Sequence, residues 1–168
     1  PDVSGSMSMP VSGARGSATS KMRCIDVAAL VAASVLRKNP DALVLPFERD
    51  VVACPLDAGA TVLDNASRLA ALGGGGTNCS APLAWLNRHK VEAELVVFVS
   101  DNESWMDARP GATATMREWE RFKRRNPAAR LVCIDCVPNA ASQVQERDDV
   151  LNVGGFSDDV FRMVDRKS

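Results

Sequence analysis

The sequence predicts a doubly wound α/β fold, a mostly parallel sheet flanked by helices, on three observations. Hydrophobic periods of two and of about 3.6 residues alternate along the chain. The strongest strand candidates are apolar at every position, as strands covered on both faces are. Breaks rich in Gly, Pro or Asn separate the two kinds of segment. Alternation of this kind is what a parallel sheet with helices on both faces requires.

The elements follow in order. Cys24, Val27, Ala28, Val31 and Val35 recur at three- and four-residue spacing, so residues 20–38 read as a helix that Asn39-Pro40 stops. Residues 42–47 and 51–54 are short apolar runs around Glu48-Arg49-Asp50, which predicts a hairpin. Residues 61–72 are amphipathic, and the glycine run 73–76 ends that helix. Residues 81–89 form a short helix with Pro82 in its first turn. Leu95-Val96-Val97-Phe98-Val99 is the core of a buried strand over 94–100. Residues 113–125 are a helix ending at Asn126-Pro127, and 131–137 a second continuous apolar strand. A short strand at 149–153, a Gly154-Gly155 turn and a helix at 157–164 close the chain, while the Ser/Gly-rich stretch 12–20 is a loop.

At 168 residues the chain is one domain, long enough to bury a core without disulfide or metal staples. Its 46% hydrophobic and 24% charged content excludes collagen-like, disordered and coiled-coil classes. A net charge of −1 offers no general attraction to nucleic acid or anionic membrane. No apolar run reaches the roughly 18 residues a membrane span needs. Five scattered cysteines, an odd number, are not a disulfide framework and fit a reducing, cytoplasmic setting. The N-x-S triplets at Asn65, Asn78 and Asn102 are then coincidental.

Ligands of an open α/β sheet gather beyond the carboxyl ends of its strands. Three polar segments fall there: Asp2-Val3-Ser4-Gly5-Ser6-Met7, Gly73-Gly74-Gly75-Gly76-Thr77-Asn78 and Ser100-Asp101-Asn102-Glu103. Two carboxylates and three hydroxyls on these loops form a hard oxygen set, suited to Mg2+ or Mn2+ rather than a soft metal. Asp-x-Ser-x-Ser on an extended turn lets alternate side chains face one point, and the glycines let backbone approach an ion closely.

These residues closely resemble the metal-ion-dependent adhesion site of von Willebrand factor A domains: Asp-x-Ser-x-Ser, a later Thr and a still later Asp. Asp2, Ser4, Ser6, Thr77 and Asp101 match that pattern in order. Gly75-Gly76-Thr77-Asn78-Cys79-Ser80-Ala81-Pro82 resembles the threonine loop of the Ro ribonucleoprotein family, and Asp101-Asn102-Glu103-Ser104-Trp105 its aspartate loop. Residues 47–56, 130–136 and 150–156 are similar to its strands. The resemblance covers nearly the whole chain and reaches only the C-terminal A domain of that family, not its RNA-holding ring of HEAT repeats.

The resemblance implies a single Rossmann-like von Willebrand A-type domain over residues 1–168, the C-terminal piece of a longer protein. It implies one Mg2+ or Mn2+ held by Asp2, Ser4, Ser6, Thr77 and Asp101, with Asn78, Asn102, Glu103 and Trp105 flanking. Trp105 either borders the ligand site or packs beneath it. Five small ligands leave the ion net positive and short of full coordination, so a carboxylate or phosphate oxygen of an acidic ligand can complete the shell. The expected function is a divalent-cation-dependent binding module, not an enzyme, in a Ro-like protein handling noncoding or misfolded RNA through the ring. Other readings are a generic A-domain protein scaffold with no RNA link, or a metal-dependent phosphoryl hydrolase. No membrane partner is expected.

Competing chemistry is weaker. A phosphorylated Asp2 would need a carboxylate two residues on as general acid, and Ser4 stands there. A Ser-His-Asp triad has only His89 to draw on, beside Arg88 and Lys90 at a helix end, where a solvated imidazole suits the helix dipole. Cys133 and Cys136 are offset by three in a strand, which puts the thiols on opposite faces as core residues. Arg117, Arg121, Lys123, Arg124 and Arg125, tempered by Glu118 and Glu120, suit a solvated helix end. A weak phosphate-contacting patch is the sharper alternative. Trp85, Trp105 and Trp119 do not interleave with basic residues as a base-stacking platform would.

One more expectation concerns the first strand. Asp2 should follow the carboxyl end of a central strand, yet only Pro1 precedes it. The fold therefore predicts an unfilled central slot, and an apolar segment of about five or six residues ahead of Pro1 in a parent chain.

Overall fold

The computed structural model describes residues 1–11, 21–101, 114–137 and 148–154. Three parallel strands form its sheet in the order β1 (Leu95–Ser100), β2 (Arg130–Asp135), β3 (Val150–Gly154). The register sets Phe98 beside Cys133 and Ser100 beside Asp135, then Asp135 beside Gly154. The carboxyl ends are thus aligned, and the loops leaving them share one edge. The helix predicted at 157–164 lies outside the described residues.

The helices form where the sequence places them, with ends set by local chemistry. α1 (Cys24–Lys38) starts four residues later than the periodicity predicts. Arg23 caps it, because the Asp26 carboxylate reaches back to accept from the Arg23 backbone N–H at 2.9 Å. α2 (Val62–Ala70) is capped by Thr61, whose Oγ1 accepts from the Asp64 N–H at 3.1 Å. α3 (Ser80–Arg88) carries Pro82 in its first turn, and α4 (Ala114–Arg125) ends before Asn126-Pro127.

Strand alternation splits the core into two layers. Val99, Ile134 and Cys136 pack on one face with α1 residues Cys24, Ile25, Val27, Ala28 and Val31. Phe98, Leu131 and Cys133 pack on the other with Leu83, Leu86, Trp119 and Phe122 from α3 and α4. Cys133 and Cys136 do fall on opposite faces. Trp119 is buried in the second layer, and its indole N–H donates to Asp149 at 3.0 Å. α2 lies against α1 through a third cluster, Ala29, Ala32, Ala33, Ala66 and Leu69.

Two expectations need correction. Residues 42–47 and 51–54 were expected as a hairpin of two strands, but only the isolated bridge Phe47↔Val51 forms. The turn is present: Val52 N–H donates to Pro46 O at 2.8 Å, around Glu48–Asp50. Between residues 42–47 and β1 runs a groove of about 400 Å³, lined by Val31, Val35, Leu45, Phe47, Leu86 and Leu95 among others. Pro1–Val3 closes its upper end: Asp2 N–H donates to Val99 O and Val3 N–H to Phe47 O, both at 2.9 Å, and Phe47 N–H donates to Pro1 O at 3.1 Å. The backbone of residues 1–3 therefore already bridges β1 and Phe47 as a strand end would. Leu95, Val96 and Val97 are only half-buried, although their sequence is that of a strand covered all round.

The second correction concerns Asp-x-Ser-x-Ser. Its side chains were expected to converge by strand alternation along an extended turn. Ser4 is extended (φ −64°, ψ 167°), but Gly5–Ser8 then winds into a 3-10 turn, with Met7 N–H donating to Ser4 O at 3.1 Å. The winding satisfies backbone groups that leave the sheet at this point, and it anchors Met7 in the core.

Candidate metal centre

The first candidate segment leaves the sheet between β1 and Phe47, so Asp2 is fully buried. Its carboxylate is held from two sides. Oδ1 accepts from the Ser4 N–H at 2.8 Å, and Oδ2 accepts from the Ser100 hydroxyl at 2.7 Å. The 3-10 turn brings Ser6 back to Ser4, their hydroxyl oxygens 3.2 Å apart. Asp2, Ser4 and Ser6 are thus brought together, by one strand-end residue and one tight turn.

The other two segments reach the same edge. Gly74 N–H donates to Val3 O at 3.2 Å, and Gly5 N–H to Gly75 O at 3.1 Å. These bonds pin the glycine run against the first segment. Gly75 has φ +70°, a conformation that favours glycine, and the Glu48 carboxylate occupies the space where a Cβ would stand and would have to move aside. Asp101 directly follows β1 and is 2% exposed.

Burial pushes the Asp2 carboxyl above its usual range, against the hydrogen bonds from Ser4 and Ser100, and the like charge of Asp101 pushes the same way. Two buried carboxylates with hydroxyls around them suit a hard divalent cation. The donor set fits Mg2+ or Mn2+, which Asp2 and Asp101 with Ser4, Ser6 and Thr77 would hold. Among the described residues, no group of three or more His, Cys, Asp or Glu side chains is arranged to hold a metal. The set here is of another kind, two carboxylates and three hydroxyls.

The flanking residues divide. Asn78 turns away toward structure: its Nδ2 donates to Arg49 O at 3.1 Å, and its Oδ1 accepts from the Ser80 hydroxyl at 2.7 Å at the start of α3. Asn102, Glu103 and Trp105 lie outside the described residues. Two further residues went unassigned in the sequence. Ser100 orients Asp2 from inside the sheet, and the signal was a lone hydroxyl ending an apolar strand. Asp135 is a third buried carboxylate on this edge, in register with Ser100, and its Oδ1 accepts from Val137 N–H at 2.9 Å.

His89 stacks on Trp85 with ring centroids 3.8 Å apart, exposed at the end of α3. All five cysteines are free thiols. Burial pushes Cys24 up to about 11 and Cys133 up to about 12, and pushes Cys136 higher still. At pH 8 these three thiols are protonated and shielded. A colorimetric thiol reagent should therefore modify half-buried Cys54 first, and all five only after unfolding. Rapid native-state modification of Cys136 would contradict this packing.

The family model described as the Ro60 vWA domain matches residues 1–166. The RNA-binding protein RO60 of Deinococcus radiodurans is 28% identical over 156 residues, which is 92% of this chain and 28% of that protein. The crystal structure of the Deinococcus radiodurans RO (RSR) protein superposes with a TM-score of 0.72 at 21% identity, covering 97% of this chain and 32% of that one. The chain thus spans about a third or less of the length of these relatives.

Proposed function

The chain belongs to the Ro60 vWA domain family, and from that premise we propose that it is a divalent-cation-dependent ligand-binding module of a Ro-like RNA-binding protein. The observation that carries this reading is the fully buried Asp2, held by Ser4 and Ser100 beside Asp101 and the Ser4–Ser6 hydroxyl pair. A bound Mg2+ or Mn2+ would supply an electrophilic centre for one oxygen of an acidic ligand. Asp2 and Asp101 provide the charge that retains the cation. Ser4, Ser6 and Thr77 provide neutral oxygens that leave it electron-poor. Ser100 fixes the orientation of Asp2, and the glycine run keeps the rim low enough for a ligand to approach.

The role in this reading is binding rather than catalysis, with the carboxylates and hydroxyls of this edge acting as cation ligands. Noncoding or misfolded RNA would be the cargo of the parent protein, consistent with a relative named as RNA-binding. Free thiols suit a cytoplasmic setting. No helix of the described residues is long and apolar enough to cross a membrane.

Thermal unfolding with added ions tests the reading. Mg2+ or Mn2+ at about 100 times its dissociation constant should stabilise the domain by about 2.7 kcal/mol. That is a rise of several degrees in Tm, reversed by EDTA. Thr77→Ala should keep part of the ion-induced rise but lose Mg2+-dependent capture of a glutamate-bearing peptide. An unfolding midpoint indifferent to both ions would contradict the proposal, and Mg2+-dependent turnover of an aryl phosphate would favour the hydrolase reading.

A further inference from the structure

The turn at Glu48–Asp50 is fastened to the loop that carries Thr77. Asn78 holds it twice, its backbone N–H donating to Glu48 O at 2.8 Å and its Nδ2 to Arg49 O at 3.1 Å. Asn78 is itself fixed at the start of α3, where its Oδ1 accepts from the Ser80 hydroxyl at 2.7 Å and the Ser80 N–H at 3.2 Å. The turn closes on itself as Glu48 N–H donates to Asp50 O at 3.0 Å. Two charged side chains are thereby laid along the glycine run. The Glu48 carboxylate stands over Gly75, and Arg49 Nε lies 3.3 Å from where a Cβ of Gly76 would be.

That strip of backbone belongs to the rim of the candidate cation site. Gly75 O accepts from the N–H of Gly5, between Ser4 and Ser6, and Gly76 directly precedes Thr77. Arg49 is exposed, and among the described residues its guanidinium is joined to no carboxylate. Glu48 is half-buried and does not complete a metal-holding trio with Asp2 and Asp101. The rim is therefore polar along its length, negative over residue 75 and positive over residue 76. An acidic ligand is repelled by the first and drawn to the second.

We propose that Arg49 is a specificity-determining residue of this site, selecting a peptide that carries two neighbouring acidic side chains. One carboxylate completes the shell of the cation, and the next pairs with the guanidinium. The proposal rests on the cation-binding reading above and names the ligand class for it. Arg49 is set at least one residue from Thr77, about 3.8 Å along the backbone, and projects into solvent from there. It therefore meets the group beside the one on the ion. Acidic side chains at i and i+2 of an extended segment share a face about 7 Å apart, a span that suits two centres so placed. Arginine fits the task because its planar fork takes both oxygens of a carboxylate at once.

Fluorescence anisotropy of two labelled peptides in Mg2+, one carrying Glu-Ser-Glu and the other Glu-Ser-Gln, tests the assignment. The protein should bind the first about tenfold more tightly, the worth of one hydrogen-bonded charge pair, and the preference should shrink as KCl is added. Arg49→Gln should erase that preference yet keep the ion-induced rise in Tm, since no cation ligand is removed. Arg49→Lys, with the charge but not the fork, should keep part of the preference. An equal preference in wild type and Arg49→Gln, or none in the wild type, would overturn the proposal. So would a short single-stranded RNA that binds more tightly than either peptide and loses affinity in Arg49→Gln. An ion-induced rise with no effect of Arg49 on the preference removes this proposal alone. No rise in the wild type removes the cation reading and this one with it.

Discussion

An apolar segment of about five or six residues, joined ahead of Pro1, should raise the stability of the domain by about 5 kcal/mol. The groove between β1 and residues 42–47 is lined by side chains from both core layers. Its upper end is already bridged by the hydrogen bonds of residues 1–3. Each strand residue placed there buries a side chain worth about 2 kcal/mol and gains about 1 kcal/mol from ladder hydrogen bonds. Ordering it costs about 2 kcal/mol. The net is about 1 kcal/mol per residue, or about 10 °C or more in Tm for a domain of this size. The strand should run parallel to β1, because residues 1–3 already pair in parallel with Phe47. Amides of Val97 and Leu45, which share the slot-facing side with Val99 and Phe47, should become protected from hydrogen exchange. A Gly/Ser extension of equal length is the control. Equal stability with either extension would show that the groove is not a strand slot.

Asp2→Asn should abolish the response to divalent cations while leaving the metal-free domain at least as stable. An amide keeps the shape, accepts from the Ser4 N–H through Oδ1, and can donate to the Ser100 hydroxyl in place of the bond it now accepts. What it removes is a buried charge. Because burial raises the pKa of Asp2, the folded state holds its proton more firmly than the unfolded state does. The metal-free domain therefore loses stability as pH rises from the ordinary carboxyl range through the native value, and the full cost is present above it. Asparagine has no such cost. Metal affinity should fall by more than about 100-fold, the upper end of what losing an outer partner alone costs. Ser4→Ala and Ser6→Ala remove neutral oxygens and should weaken binding by less. A variant that is simply unfolded would lose its midpoint altogether, which separates that outcome from loss of the site.

Most of the fold was legible because its signals are local. A strand such as Leu95–Ser100 announces its burial in its own composition, and α2 announces its start through Thr61. Residues 42–47 read as a strand for the same reason, but a strand is completed only by a neighbour, and no local signal tells whether a ladder will form. The loops of the candidate site were legible as residue types, hard oxygen donors and glycines at strand ends. The 3-10 turn at Gly5–Ser8 was not, because the same spacing of hydroxyls can converge by alternation or by winding. Ser100 was hidden by its ordinary position at the end of an apolar strand. Its role depends on Asp2, distant in sequence and joined to it only by the parallel sheet.

Calorimetric titration of Mg2+ into the strand-extended chain, beside the same chain carrying Asp2→Asn, tests the central claim most directly. The account predicts one saturable site in the first and no binding in the second, with both proteins folded. Equal affinity in the two would contradict it.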